Sequence, residues 1–251
     1  MKTLEGKVAI VTGGARDIGR AVSEKLASQG AKVVVNYFRS QEDGDATVKA
    51  ITDADGQAIA VAGDMTKKAD VDNLVGEARK AYGDSIDVLV NVVGGLIERV
   101  SLAEMSEDFF ETTMKLNVTS TFLASQSALP YMGEGSAIVN LASLAGRDGG
   151  GPGAGAYATS KGAVMTLTRA FAKELGPSGI RVNSVCPGMI NTTFHDTFTK
   201  DEVRANVAAG TPLRREGEAK EIADLVVFLA SSESSYMSGA NVDINGGAFF
   251  S

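Results

Sequence analysis

The stretch Val11–Arg20, VTGGARDIGR, decides the fold, because an apolar strand pattern leads through it into a glycine-rich turn and then a helix. In this setting Gly13 permits a tight turn and Gly19 permits close packing of the helix on the strand. The helix is expected to start near Ile18 and to direct its free N–H groups at a pyrophosphate. Ordinary turn glycines are the alternative interpretation, which the strand–turn–helix setting disfavours.

Asp17 departs from the usual pattern of such a turn, where a third small residue is expected. Its carboxylate has the same charge sign as a pyrophosphate. Asp is a favoured N-cap residue, and it tolerates unusual backbone angles better than most side chains do. We therefore expect Asp17 to cap the helix, with its carboxylate near Arg16 or Arg20 and away from the phosphates.

Short β-branched runs alternate with amphipathic helical patterns along the whole chain. This alternation predicts an α/β fold, a single-domain Rossmann-type doubly wound parallel sheet of about seven strands with helices on both faces, over residues 1–251. The predicted strands are 7–13, 31–37, 57–64, 86–94, 136–143, 180–188 and 241–247. The predicted helices are 18–29, 40–54, 67–81, 107–132, 156–175 and 218–230.

Composition excludes several classes of function. The formal net charge of −7 argues against nucleic acid as a partner, since phosphate backbones require a basic face. No apolar run approaches the ~20 residues of a membrane span, so we expect no membrane partner. The single cysteine and the absence of a signal-peptide pattern favour the cytoplasm. The single histidine and the single cysteine give no reason to expect a metal site.

The residues at the end of the second predicted strand indicate which nicotinamide cofactor is preferred. A carboxylate that would hold a ribose 2′-hydroxyl is missing there, because Asn36 stands at its position, with Tyr37 and Ser40 nearby. Arg39 and Arg16 instead suit a 2′-phosphate, so NADP(H) is preferred and NAD(H) is possible. The alternative is that Arg39 is only a solvated residue at the start of a helix.

Asp64 and Met65 follow the third predicted strand. The Asp64 carboxylate is expected to accept a hydrogen bond from the adenine amino group, with Met65 beside it. Asp64 is also a candidate N-cap for the next helix, and the two roles are compatible.

Tyr157 and Lys161 lie four residues apart in a predicted helix and therefore share a face. An ammonium group beside a phenol favours the phenolate and lowers the phenol's pKa. Such a phenol could exchange a proton with a carbonyl or alcohol oxygen near neutral pH. From spacing alone, a surface packing pair is the competing interpretation.

Seven short motifs follow one another along the chain: TGGARDIG, GDMT, NVVG (91–94), LNV (116–118), NLAS (140–143), YATSK (157–161) and CPGMINT (186–192). In this order and spacing they resemble the motifs of the short-chain dehydrogenase/reductase family along the whole chain. The group containing 3-oxoacyl carrier-protein reductases and small carbonyl or sugar-type reductases is the most similar. The resemblance implies hydride transfer between a nicotinamide and a carbonyl or alcohol carbon.

The resemblance also implies a role for each catalytic residue. Tyr157 matches the acid/base, and Lys161 matches the residue that lowers its pKa and holds the nicotinamide ribose. Ser143 matches the hydroxyl that binds the substrate oxygen, and Asn117 matches the residue that holds a water in a proton relay.

Further cofactor positions follow from the same resemblance. Ile190 and Thr192 match residues that hold the carboxamide, and a homotetramer is implied. NVVG departs from the family's NNAG but retains the flanking Asn and Gly. The remaining matched positions are Asn91, Gly94, Pro187 and Gly188.

The segment after Thr192 is expected to cover the active site as a mobile lid. Its polar start, with His195, and the loop residues Arg147 and Arg99 favour a compact polar ketone or aldehyde, such as a keto-sugar or keto-acid. A 3-oxoacyl thioester is the alternative substrate. A non-catalytic dinucleotide-binding sensor or partner subunit is the alternative of another class.

Overall fold

One parallel sheet organises residues 2–250, which are the part of the chain that the computed structural model describes. Seven strands pair in the order β3-β2-β1-β4-β5-β6-β9, and every pairing is parallel. This confirms the predicted Rossmann-type α/β sheet of seven strands. The strands are β1 (Val8–Thr12), β2 (Lys32–Tyr37), β3 (Gln57–Ala62), β4 (Val88–Asn91), β5 (Ala137–Leu141), β6 (Arg181–Pro187), β7 (Ile190–Asn191), β8 (Gly217–Glu218) and β9 (Asn241–Ile244).

Helices cover both faces of the sheet, which explains why its central strands, such as β1, are buried along their whole length. On β1, Val11 belongs to a core cluster with Leu26 and Val226, whereas its neighbour Ile10 belongs to a second cluster with Leu74. The helices are α1 (Asp17–Ser28), α2 (Gln41–Asp53), α3 (Lys68–Tyr82), α4 (Glu107–Met114), α5 (Ser120–Ala128), α6 (Ala145–Asp148), α7 (Gly155–Leu175), α8 (Thr193–Phe198), α9 (Asp201–Gly210) and α10 (Ala219–Ala230).

The helix predicted over 107–132 is not continuous. A π-helical segment, Lys115–Thr119, separates α4 from α5, and a 3₁₀ turn ends the run at Tyr131. The Asn117 side chain donates to the Thr113 carbonyl (3.0 Å) within this segment. A side chain that bonds the backbone of the preceding turn disturbs the regular ladder, and π segments are frequent at functional sites.

The segment predicted as a lid contains α8 and α9 and is closed at its base by the short parallel pair β7 and β8. Arg204 of α9 holds these parts together. Its guanidinium donates to both Glu216 carboxylate oxygens (2.8 and 2.6 Å), to Asn191 (2.9 Å) and to Asp196. Hydrogen bonds from Arg204 therefore hold the lid segment together. No local sequence pattern indicates this role of Arg204.

Asn36 connects the first three strands at the edge of the sheet. Its side-chain oxygen accepts from the Gly13 N–H (3.0 Å), and its amide donates to the carbonyls of Gly63 (3.1 Å) and Val61 (3.3 Å). The residue is 1 % exposed, so these hydrogen bonds to the backbone are shielded from water on the side of Asn36.

We expect Asn36→Ala to lower the free energy of unfolding by about 2–3 kcal/mol, because buried polar groups lose their partners. Urea denaturation measures the change. The control is Asn206→Ala on the exposed surface of α9, for which about 0.5 kcal/mol or less is expected. Equal losses in the two variants would contradict this account of Asn36.

Candidate active site

A cleft of about 860 Å³ lies at the carboxyl ends of the central strands. It is next to β1 and β4, where the order of strands in the sheet changes direction: β2 and β3 lie to one side of β1, and β4 to β6 lie to the other. Such a switch point is where doubly wound sheets bind ligands. Its size is that of a small-molecule site. The cleft is thus the candidate site for both cofactor and substrate.

The glycine-rich turn forms one end of this cleft. A Cβ atom at Gly19 would lie 2.0 Å from the Gly13 carbonyl oxygen, so only glycine allows α1 to approach β1 this closely. Gly13 itself has a φ of 64°, which favours glycine. With Ile18 also lining the cleft, the start of α1 faces space that could hold a pyrophosphate.

Asp17 does not cap α1, so the expected capping role is wrong. It is the first helical residue, with a φ of 49°, and the N-cap position belongs to Arg16, which makes no side-chain cap bond. The Asp17 carboxylate instead accepts hydrogen bonds from the Thr193 N–H (3.0 Å) and hydroxyl (2.6 Å). The carboxylate therefore links the turn to the first residue of the lid helix α8.

The end of the cleft nearest β2 is lined by Arg16, Arg39 and Tyr37. Arg39 is exposed and stacks 5.0 Å from the Phe38 ring, and Arg16 lies 3.7 Å from the Asp43 carboxylate. These two guanidinium groups could hold a phosphate. Ser40 also lines the cleft, with its hydroxyl accepting from the Asp43 N–H (3.3 Å) as the N-cap of α2.

Asn36 lines the cleft, as predicted, but its amide bonds the protein's own backbone, as described above. Three other predicted cofactor contacts are not supported by the geometry. Asp64 accepts from the Thr66 N–H (3.0 Å) and hydroxyl (2.7 Å), and neither it nor Met65 lines the cleft. Asn91 lies beneath the cleft, with its amide donating to Asn140 (2.9 Å). Local turn formation and core packing engage these polar groups instead. Asp64 is not the N-cap of α3, since that position is Lys67.

Tyr157 and Lys161 face the centre of the cleft from α7, together with Ser143 from the loop after β5. The Lys161 ammonium is buried, donates to the Leu141 carbonyl (2.7 Å) and lies 5.8 Å from the centre of the Tyr157 ring. Burial lowers the pKa of Lys161 to about 8. The structure therefore brings together the three side chains that proton transfer requires.

The Tyr157 phenol differs from the expectation of a lowered pKa. Burial raises the pKa of Tyr157 above its ordinary value, and a hydrogen bond with Ser143 offsets only part of that effect. The Lys161 ammonium is directed to a backbone carbonyl rather than to the phenol. As a result the phenol is protonated at neutral pH and is prepared to act as an acid.

Asn117 reaches the same region from the π-helical segment. Its side chain accepts from the Gly95 N–H (2.9 Å) and donates to the Gly95 carbonyl (3.0 Å). A Cβ atom at Gly94 would lie 2.5 Å from the Asn117 side-chain oxygen and 2.9 Å from the Lys161 nitrogen. Because Gly94 has no side chain, the Asn117 side-chain oxygen and the Lys161 nitrogen can both lie close to its Cα atom.

The loop after β6 forms the wall opposite α7. Pro187, Gly188, Ile190 and Thr192 all line the cleft, as predicted for residues beside a nicotinamide. The Thr192 hydroxyl donates to the Ile190 carbonyl (3.1 Å), which fixes the bend that leads into α8.

The predicted substrate residues do not share one location. Arg147 is directed away from the cleft, because its guanidinium bonds Asp243 (3.3 Å) and the Asn241 carbonyl (2.7 Å) on β9. This corrects its assignment to the substrate. His195 does line the cleft, with its Nδ1 3.0 Å from the Thr199 hydroxyl. Burial and the nearby cations of Arg204 and Arg99 lower its pKa, so it is neutral at pH 7.

Apolar residues that the sequence analysis did not select complete the substrate end. The Phe194 ring lies 5.9 Å from the Tyr157 ring and 5.2 Å from the Phe198 ring. Phe194 immediately precedes His195, so an aromatic residue inside a polar lid segment was the available signal. Other apolar lining residues are Leu96, Leu116 and Val207.

Arg99 lines the cleft and is exposed to solvent. Its guanidinium donates to the Phe198 carbonyl of the lid (3.2 Å) and to the Pro152 carbonyl of the glycine-rich loop (3.0 Å). It therefore bridges two walls of the substrate end.

Within residues 2–250, no helix has the length and apolarity to cross a membrane.

Comparisons with known proteins agree with this fold over nearly the whole chain. The family model described as enoyl-(acyl carrier protein) reductase matches residues 13–248. An uncharacterised oxidoreductase of Methylorubrum extorquens is 39% identical over 249 residues, covering 98% of this chain and 99% of its own. The 3-oxoacyl-[acyl-carrier-protein] reductase of Haemophilus influenzae is 34% identical over 250 residues, covering 99% of this chain and 100% of its own.

Solved structures with the same fold include nicotinamide-dependent proteins. A Burkholderia cenocepacia short-chain dehydrogenase in complex with NADP has a TM-score of 0.91 at 35% identity, covering 98% of this chain and 99% of its own. An NADH-dependent reductase responsible for alginate metabolism has a TM-score of 0.91 at 32% identity, covering 100% of both chains. The chain belongs to the short-chain dehydrogenase/reductase family, near its 3-oxoacyl-carrier-protein reductases.

Proposed function

We propose that residues 1–251 form one catalytic domain that reduces a compact ketone or aldehyde with NADP(H) as the preferred cofactor. The observation that carries this proposal is the pairing of a protonated Tyr157 phenol with a buried Lys161 ammonium at the sheet edge. A protein that only binds dinucleotides has no need of this pair together with Ser143 and Asn117. When bound, the nicotinamide supplies the hydride.

The protein side chains supply orientation and the proton. The Ser143 hydroxyl binds the substrate oxygen, and the Tyr157 phenol donates its proton to that oxygen as negative charge develops. The Lys161 ammonium stabilises this charge and holds the nicotinamide ribose. Asn117 fixes the backbone at Gly95 and holds the water through which Lys161 is linked to solvent.

The lining of the cleft refines the expected substrate. Phe194, Leu96 and Leu116 favour an apolar body, while Arg99 and His195 are among the polar groups that line the cleft. We propose a carbonyl compound with an apolar body and one polar or anionic end, which retains a keto-acid and disfavours a polyhydroxylated keto-sugar. A 3-oxoacyl thioester is the second candidate, because the same apolar wall would suit an acyl chain.

A homotetramer is proposed from the family resemblance. The Phe110 and Phe122 side chains on α4 and α5 are 37% and 39% exposed, and an interface between copies would cover this apolar surface.

Steady-state oxidation of NADPH with a panel of carbonyl compounds tests the activity. We expect turnover by the wild type, and a loss in kcat/KM of about 10²–10⁴-fold in Tyr157→Phe, because the proton donor is removed. Tyr236→Phe, at a fully exposed tyrosine, is the matched control and is expected to retain activity. Full activity of Tyr157→Phe would refute the proposed mechanism.

The same panel separates the substrate classes when keto-acids with apolar side chains, keto-sugars and 3-oxoacyl thioesters are compared by kcat/KM. The proposal ranks the keto-acids first. A preference for keto-sugars would contradict the role given to the apolar wall, and a preference for the thioesters would favour the second candidate.

Cofactor preference is tested by Arg39→Ala. Loss of a charge-assisted bond to the 2′-phosphate is expected to lower kcat/KM for NADPH about tenfold and to leave the value for NADH nearly unchanged. Arg169→Ala on the exposed face of α7 is the control for general loss of positive charge. If Arg39→Ala reduced both values equally, or if the wild type preferred NADH, the 2′-phosphate role would be wrong.

A further inference from the structure

Asp17 and Thr193 join two parts of the site that are 176 residues apart in sequence. Both carboxylate oxygens of Asp17 are engaged, one by the Thr193 N–H (3.0 Å) and the other by the Thr193 hydroxyl (2.6 Å). Two bonds from one residue to one carboxylate fix orientation as well as distance. The contact is therefore a defined attachment of the lid to the glycine-rich turn.

The backbone at Asp17 is less favourable for an aspartate than for a glycine. Its φ of 49° lies in the left-handed region, where glycine has no steric penalty and other residues do. Glycine would fit this position better, so backbone conformation does not account for the aspartate. Its two bonds to Thr193 do account for it.

Thr193 is the first residue of α8, and the next two residues of that helix line the cleft. The Phe194 ring lies 5.9 Å from the Tyr157 ring, and His195 packs edge-on against Phe194 at 5.0 Å. Arg204 and Arg99 hold the later part of this helix, at Asp196 and Phe198, whereas Asp17 holds its first residue. Displacement of Thr193 would therefore shift the start of the helix, which carries both rings.

The carboxylate also opposes the cofactor, on the proposed function. It lies in the first turn of α1, where the cofactor diphosphate is expected to bind, and its negative charge repels that group. A residue that served diphosphate binding would not carry this charge.

We propose that Asp17 is a positioning residue that holds α8 over Tyr157 at the expense of affinity for the cofactor diphosphate. It favours the lid position in which Phe194 and His195 contact the substrate. The inference rests on the proposed function for the identity of the anionic ligand.

Three variants separate the two effects of Asp17. Asp17→Asn removes the charge but keeps an acceptor for the Thr193 N–H, whereas Asp17→Gly removes both and relieves the backbone strain. Thr193→Val keeps the charge and loses only the hydroxyl bond. Isothermal titration calorimetry measures the affinity of each variant for NADPH and for adenosine 2′-phosphate, which lacks the diphosphate. Hydrogen exchange of residues 193–198 measures attachment of the lid.

NADPH is expected to bind about three- to tenfold more tightly to Asp17→Asn and Asp17→Gly at low ionic strength, with less gain at high salt. Adenosine 2′-phosphate should bind all forms equally. Exchange in 193–198 should be faster in Asp17→Gly and Thr193→Val than in Asp17→Asn. In those same two variants, KM for the carbonyl substrate should rise more than kcat falls.

Weaker NADPH binding by Asp17→Gly would overturn the proposal, since the carboxylate would then serve the cofactor. Unchanged exchange in both Asp17→Gly and Thr193→Val would overturn it as well. Affinity and exchange are measured without turnover, so these results stand even if the assigned reaction is wrong. Failure of the wild type to bind NADPH would instead refute the proposed cofactor. Thermal unfolding of each variant confirms that it is folded.

Discussion

A single buried ammonium group organises the reactive end of the cleft. Lys161 donates to the last residue of β5 and approaches Asn117 across Gly94, so it connects α7, β5, the loop after β4 and the π-helical segment. Moving a cation out of water is costly, and the surrounding carbonyl and amide groups offset part of that cost. The lowered pKa of Lys161 reflects the part of this desolvation cost that is not offset.

This arrangement suits the proposed role of Tyr157 as the proton donor in carbonyl reduction. Burial affects the two members of the pair in opposite ways: it keeps the Tyr157 phenol protonated and weakens the hold of Lys161 on its proton. A protonated phenol is the form that reduction of a carbonyl requires. Oxidation of an alcohol would require the phenolate, which the surroundings of Tyr157 disfavour.

Local sequence patterns predicted most of the fold and the centre of the site. The strand–turn–helix around Gly13, the alternation of strands and helices, and the family motifs around Tyr157 each depend on residues close together in sequence. Contacts between distant segments could not be predicted in this way. Nothing near Asp17 indicates Thr193 as its partner, and nothing near Arg147 indicates that Asp243 would hold its guanidinium away from the cleft. Asp64 was assigned to the cofactor although a local turn with Thr66 satisfies it.

The central claim is that Lys161 must carry its positive charge for carbonyl reduction. The pH dependence of kcat/KM for this reaction tests the claim most directly. The ammonium is present below its lowered pKa and is lost as the pH rises, so the rate should be constant near pH 7 and fall above a pKa of about 8. The Tyr157 phenol stays protonated through this range and cannot cause the decline. A rate that is independent of pH from about 7 to about 10 would contradict the account.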